Sequence, residues 1–294
     1  MTNLLRADFT RMFKSRTFHM CMIFWFCFAA FAVWSRWRDT YYYPDYLYGS
    51  PDGLLLGGPL YIGILLAVLF GSFIGTDYRN GTIRNKLIIG HSRIQIYLSN
   101  LIVCTTVSLL LHVIWLAIII GAGIPLIGNF VTPVGTVVTM ILVSFFTILS
   151  YTGIFLLVCM IISSKAAGSV TVVILSFILV LAAPTINSQL NEPEYFSAYD
   201  FSMTDEYGNT IEEHQDMMKN PYYLTGTKRE IVELINDILP TCQIFQLSNS
   251  DSGSNLLGDE GELIDDTALF PIYSLCVAII TSAMGIIIFR RKNL

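Results

Sequence analysis

Six long apolar runs, separated by polar segments, dominate the chain. Their lengths are close to or above the roughly 20 residues that carry a helix across a bilayer, and none contains Asp, Glu, Lys or Arg. A core helix of a soluble protein seldom runs that far without a charge, so the pattern predicts an all-α membrane protein with six transmembrane helices. The runs cover residues 17–34, 54–74, 96–122, 134–162, 168–183 and 270–289. We expect Pro184 to end the fifth helix.

The basic residues predict how these helices are oriented. When the segments between spans are sorted alternately, one side holds twelve Lys and Arg residues and only two acids, Asp8 and Asp77. The other side holds five basic residues and twenty acids. Because basic loops remain in the cytoplasm, we expect a multi-pass plasma-membrane protein with both termini cytoplasmic. The composition agrees, since 54% of the 294 residues are hydrophobic and 13% are charged. No feature indicates a nucleic-acid partner.

The polar segments divide the chain further. Residues 1–16 have an apolar helical face consisting of Leu4, Leu5, Phe9, Met12 and Phe13. This pattern favours an amphipathic helix lying in the inner interface of the lipid bilayer; a basic leader that only sets topology is the alternative. Helices one to five then occupy residues 17–183, with one sizeable cytoplasmic loop at 75–95. A small extracellular domain covers 184–269, and 270–294 form the sixth helix and a basic tail.

The extracellular segment is strongly acidic, with 17 acids against three basic residues. It is too long for a bare connector. We expect one helix in it, capped by Thr227 with Glu230 three residues later and ended by Pro240. Residues 248–266 are rich in Ser, Gly and Asp and have the composition of a solvated loop. Tyrosines in the first outer loop, at 41–48, are typical of membrane-interface anchors.

No catalytic machinery is visible in the chain. It lacks the phosphate-binding loop of P-loop ATPases and any Cys or His spacing suited to zinc. The spans have no paired carboxylates, which argues against a proton- or sodium-coupled carrier. We expect His112, inside the third span, to be a neutral side chain that hydrogen-bonds a neighbouring helix. Five cysteines lie in spans and Cys242 is the only outer one, which excludes an intrachain outer disulfide.

The loop at 75–95 predicts a short helix on the cytoplasmic side. Asn80 can cap it, Gly90 can end it, and Ser92 with Gln95 forms a second capping box that begins the third span. On this helix Ile83 and Leu87 share one face, while Arg84 and Lys86 project elsewhere. Such a helix suits a groove on a partner protein. The residues alone support a partner-binding helix and a solvated basic loop equally well.

This loop, DYRNGTIRNKLIIGHSRIQIYLSNLI, resembles the loop after the second span in permeases of the type-2 ABC exporter family. Asp77 stands where the family more often has Glu. The segment ILPTCQIFQL, residues 238–247, is also similar to one that many of these permeases carry before the last span. The resemblance implies that residues 80–88 form the coupling helix, which fits into a separate ATP-binding subunit. The implied coupling residues are Asp77, Arg79, Asn80, Gly81, Thr82, Ile83, Arg84, Asn85, Lys86, Leu87 and Ile88.

The resemblance also implies a function. Such a chain pairs with a second permease subunit, binds no cofactor itself, and is driven by ATP and Mg²⁺ held on the partner ATPase. Family members export peptides, antibiotics, lipids and polysaccharide. The small outer domain favours a hydrophobic or antimicrobial peptide as substrate here. The alternative is a membrane sensor that does not transport and that binds a ligand through its acidic outer domain.

Overall fold

A computed structural model of the chain describes residues 1–42, 50–197, 201–204, 210–213, 217–250 and 269–292. Within these residues six helices are long and apolar enough to cross a membrane. They are α2 (Arg16–Tyr42), α3 (Asp52–Arg79), α5 (Arg93–Ile118), α7 (Val134–Ile161), α8 (Lys165–Leu190) and α11 (Phe270–Arg291). After α5 the third span continues through a π-helical turn, Ile119–Gly123, into the short helix α6 (Ile124–Ile127). The expectation of an all-α membrane protein with six spans is confirmed.

The remaining elements lie at the two ends of this bundle. At one end are α1 (Thr2–Phe13) and α4 (Thr82–Ile88). The other end has α9 (Thr227–Ile238), α10 (Pro240–Ser250) and the short strands β1 (Tyr195–Ser197), β2 (Phe201–Thr204), β3 (Thr210–Glu213) and β4 (Met217–Lys219). The strand β1 pairs with β4 and β2 pairs with β3, both antiparallel.

The centre of the bundle is formed by α3 and α7. The helix α3 packs against α7 and α8, and α11 lies along α7 and α5. Gly285 permits the close approach of α11 to α5, because a Cβ at this position would overlap the Tyr97 hydroxyl. Inside the bundle, His112 Nε2 and Ser144 Oγ are 2.8 Å apart, which joins α5 to α7. The predicted hydrogen bond from His112 to a neighbouring helix is confirmed.

Part of the segment expected to be an extracellular domain belongs to the bundle. The helix α10 packs against α3, α7 and α8, and the side chains of Cys242, Ile244 and Leu247 are fully buried. Gln243 Oε1 accepts a 2.6 Å hydrogen bond from the Ser274 hydroxyl of α11. By contrast, the apolar stripe of α9 is exposed. Most of the family-like segment at 238–247 therefore lies in a helix that packs against this end of the bundle.

Two expected helix boundaries were wrong. Pro184 lies inside α8, which continues to Leu190. A proline loses its own hydrogen bond and crowds the carbonyl one turn earlier, but the hydrogen bonds of later residues stay intact. Thr227 does not cap α9; Gly226 does, at a positive φ of 58° that favours glycine. Pro240 follows the end of α9 as expected and begins α10. Of the loop predicted at 248–266, residues 248–250 instead form the end of α10, and the remainder lies outside the described residues, as do the tyrosines at 43–48.

Candidate functional site

The segments predicted to be cytoplasmic meet at one end of the bundle. Lys86 of α4 contacts Asp8 of α1, and Arg93, at the start of α5, donates a 3.0 Å hydrogen bond to the Arg290 carbonyl of α11. Lys292 Nζ donates to the carbonyl oxygens of Met160 and Ile161, at 2.9 and 2.8 Å, and so joins the chain end to α7. The N-terminal helix, the loop after α3 and the end of α11 thus form one continuous surface.

Two glycines shape the connection around α4. Gly81, at φ 67°, is the N-cap residue between the end of α3 and the start of α4, and Gly90 has a φ of 101°. The expectation that Asn80 caps α4 was wrong, because Asn80 ends α3 and the left-handed turn falls on the glycine. The capping box that begins α5 is confirmed. Ser92 Oγ accepts from the Gln95 backbone, and Gln95 Oε1 accepts from the Ser92 backbone.

The two faces of α4 differ from the expected arrangement. Ile83 is only 2% exposed and packs inside its own chain, with Leu87 half-buried beside it. The exposed apolar side chains are Ile88 and Ile89, each 77% exposed. The interpretation that the face carrying Ile83 fits a groove on a partner protein is therefore wrong. Ile83 and Leu87 do share one helical face, as predicted. That face packs against the bundle, and the opposite face is exposed.

The outward face of α4 combines charge with apolar surface. Arg84 and Asn85 are exposed on the helix itself, as is Arg79 just before it, and Ile88 and Ile89 lie at its end. Two large, solvent-exposed aliphatic side chains beside cationic groups are typical of a protein-binding surface. We call Arg84, Asn85, Ile88 and Ile89 the docking face.

Beneath α4 lies a cluster of four charged residues, Asp8, Arg11, Asp77 and Lys86, which we call the inner charge cluster. Lys86 Nζ is 2.7 Å from Asp8 Oδ1 and 3.5 Å from Asp77 Oδ2. Arg11 forms an ion pair with Asp77 and lies 3.4 Å from Asp8. Its guanidinium also stacks 4.1 Å above the Phe73 ring. The cluster therefore links α1, the end of α3 and α4.

Charge balance explains how these groups tolerate burial. Asp8, Asp77 and Lys86 are 1%, 1% and 7% exposed, and an unpaired charge at such a site would be very costly. Two carboxylates face two cations, so each charge has an opposite partner. Burial lowers the pKa of Lys86, and the adjacent Asp8 carboxylate counteracts this by favouring the charged amine.

The structure gives the predicted coupling residues different positions. Asp77 and Lys86 belong to the inner charge cluster, Ile83 to the core, and Arg79, Arg84, Asn85 and Ile88 to the exposed surface. Sequence reasoning missed Asp8, Arg11 and Ile89. The sequence nevertheless contained a signal for Asp8. The segments predicted to be cytoplasmic hold twelve basic residues and only two acids, Asp8 and Asp77. Both acids lie in the cluster.

Comparison with known proteins agrees with this architecture. A family model described as ABC-2 family transporter protein matches residues 4–183. That range covers more than half of the chain, from α1 into the fifth span, and includes all four members of the inner charge cluster. No curated protein matches the chain. The chain belongs to the ABC-2 family of transporter proteins.

Proposed function

We propose that this chain is the permease subunit of an ATP-binding-cassette exporter and that α4 docks into a separate ATPase subunit. The observation that carries the proposal is the docking face. Its Ile88 and Ile89 are 77% exposed at the end of the bundle where the basic segments and both chain ends collect. Family membership supports association with an ATP-binding subunit and favours a transporter over a membrane sensor.

The proposed mechanism uses α4 as a lever. ATP and Mg²⁺ bind to the ATPase, and closure of two ATPase subunits pushes on α4. Because Ile83 is buried against the bundle and short turns join α4 to α3 and α5, a push on the docking face moves those spans. A second permease subunit completes the pathway. In this arrangement the docking face lies in the cytoplasm of the cell, and the two strand pairs, α9 and α10 lie at the outer surface of the plasma membrane.

We further propose a hydrophobic or antimicrobial peptide as the exported substrate. The outer segment at 184–269 carries 17 acids and three basic residues, a balance that attracts cationic peptides over a distance and is weakened by salt. Deletion of the gene should then sensitise cells to such a peptide. If the spectrum of sensitivity does not change, the peptide assignment is wrong while the permease assignment stands.

The docking proposal is tested by purification of the tagged chain with its co-expressed ATPase. The double variant Ile88→Asp/Ile89→Asp should lose the ATPase, because charged groups would then enter an apolar groove. A matched control is Val131→Asp/Val134→Asp, which places the same two charges on aliphatic residues that are 74% and 79% exposed around the start of α7, at the opposite end. If the double variant retains the ATPase as fully as the control does, α4 is not the docking element.

A further inference from the structure

The inner charge cluster joins parts of the chain that are distant in sequence, and Asp8 is at its centre. Both carboxylate oxygens of Asp8 are engaged. Oδ1 accepts from Lys86 Nζ at 2.7 Å, and Oδ2 accepts from the Ser99 hydroxyl of α5 at 2.7 Å. One side chain of α1 therefore holds the helix that carries the docking face and the span that follows it.

The position of Asp8 on its helix is unusual for an interfacial segment. Leu4 and Met12, one turn before and one turn after it, are 4% and 0% exposed, so Asp8 lies in the middle of the buried face of α1. An acid on the apolar face of a helix that only lay in lipid would be unfavourable. The apolar neighbours instead exclude water from the ion pair, which makes the contact with Lys86 stronger and more directional.

The docking helix needs such an anchor. With seven residues, α4 is much shorter than the roughly 12–15 residues at which an isolated helix becomes marginally stable in water. Its position must come from side chains packed on its inner face. The apolar contact of Ile83 does not fix the orientation of α4, because such contacts are not directional. The hydrogen bond from Lys86 to Asp8 does fix it. Without Asp8, Lys86 would keep one carboxylate, Asp77, at 3.5 Å and would share it with Arg11.

We propose that Asp8 is a positioning residue for coupling: through Lys86 and Ser99 it clamps α1 to α4 and α5, so that the N-terminal helix moves with the docking helix as one rigid body. This inference rests on the proposed function, since a lever needs an ATPase to push it. The clamp itself belongs to the permease alone and can be measured without the ATPase.

The first experiment measures the clamp as a distance. Spin labels at the exposed positions Thr10 of α1 and Asn85 of α4 report the separation of the two helices in the purified permease by double electron–electron resonance. We expect one narrow distance distribution in the otherwise native chain and a broad one in Asp8→Asn. The control Asp39→Asn removes the same charge from an exposed pair with Arg38 and should leave the distribution narrow.

The second experiment measures coupling in the reconstituted complex. Asp8→Asn leaves the docking face intact, so the ATPase should still co-purify and its KM for ATP should not change. The permease-dependent kcat for ATP hydrolysis should fall by about tenfold or more, given the large cost of leaving a buried charge without its partner. Because a misfolded fraction would also lower the apparent kcat without changing KM, kcat is expressed per mole of intact permease–ATPase complex isolated by size-exclusion chromatography.

A double variant separates positioning from stability. Asp8→Asn/Lys86→Met removes one charge of each sign and leaves the Arg11–Asp77 pair, so the buried site remains balanced and the yield of folded protein should return. The clamp is still absent, so the distance distribution should stay broad and kcat low. If this variant or Asp8→Asn retains both the narrow distribution and the full kcat, the inference is wrong. If no ATPase binds even the native chain, the proposed function fails, and the distance measurement still decides whether the clamp exists.

Discussion

The division of α4 into a buried and an exposed face gives opposite expectations for two isoleucines only five residues apart. Ile83 is 2% exposed and Ile88 is 77% exposed. Ile83→Ala should remove a contact inside the permease, and replacing a buried isoleucine by alanine costs about 2–5 kcal/mol. Ile88→Ala should change the stability of the free permease by no more than about 0.5 kcal/mol.

The order should reverse when the ATPase is present. If the groove buries the Ile88 side chain fully, its loss costs roughly 1.5–3 kcal/mol of binding energy. That corresponds to a rise in the dissociation constant of roughly 10- to 150-fold. Ile83→Ala leaves the docking face in place, so its effect on affinity should be smaller and should come from a loosened α4.

Hydrogen exchange of the free permease, followed by mass spectrometry, measures the first effect, and titration with purified ATPase measures the second. Ile83→Ala should accelerate exchange across residues 80–92, whereas Ile88→Ala should not. The reasoning is refuted if both variants accelerate exchange equally, or if Ile83→Ala weakens ATPase binding more than Ile88→Ala while exchange in α4 stays unchanged.

Three further predictions concern orientation, helix packing and the chain end. In a background without the exposed cysteines Cys27 and Cys276, Tyr222→Cys should react with an impermeant maleimide in intact cells and Asn85→Cys only after permeabilisation; the reverse pattern would invert the topology. Gly285→Val should lower stability by about 1–3 kcal/mol because it meets Tyr97, whereas Gly135→Val has nothing within 4 Å, and equal melting temperatures would contradict this packing. Burial lowers the pKa of Lys292 to about 8, so the fraction of neutral, reactive amine should rise from roughly a tenth at pH 7 to about nine tenths at pH 9. The extent of acylation at Lys292, measured by mass spectrometry with Lys228 as internal reference, should follow that curve. A midpoint near 10.5 would contradict the prediction.

The spans were predictable from the sequence because a bilayer demands long uncharged runs, and this requirement leaves a pattern that local reasoning can read. Their ends were less predictable. Pro184 has the signature of a helix end, yet α8 continues for six residues beyond it, since the bonds of later residues do not need the missing amide. The burial of α10 could not be predicted from the sequence either. Its polar residue Gln243 indicates exposure, and its hydrogen-bond partner Ser274 lies on a helix distant in sequence.

The candidate site shows the same limit. Helical spacing correctly placed Ile83 and Leu87 on one face, but spacing does not reveal which side of a helix meets the rest of the chain. The inner charge cluster depends on contacts between residues 78 positions apart, as in Asp8 and Lys86. The charge count singles out the two acids, Asp8 and Asp77, but it was used only to predict orientation, and only the fold shows that these acids lie together.

The central claim is that the docking face of α4 contacts an ATP-binding-cassette ATPase. Its most direct test is a photo-crosslinking amino acid placed at Ile89 in living cells, with the adduct identified by mass spectrometry. A second chain with the same amino acid at Tyr222, which is 78% exposed at the other end, serves as the control. The account predicts an ATPase adduct from position 89 and none from position 222; an ATPase that is captured only from position 222, or from neither while it co-purifies with the chain, would contradict it.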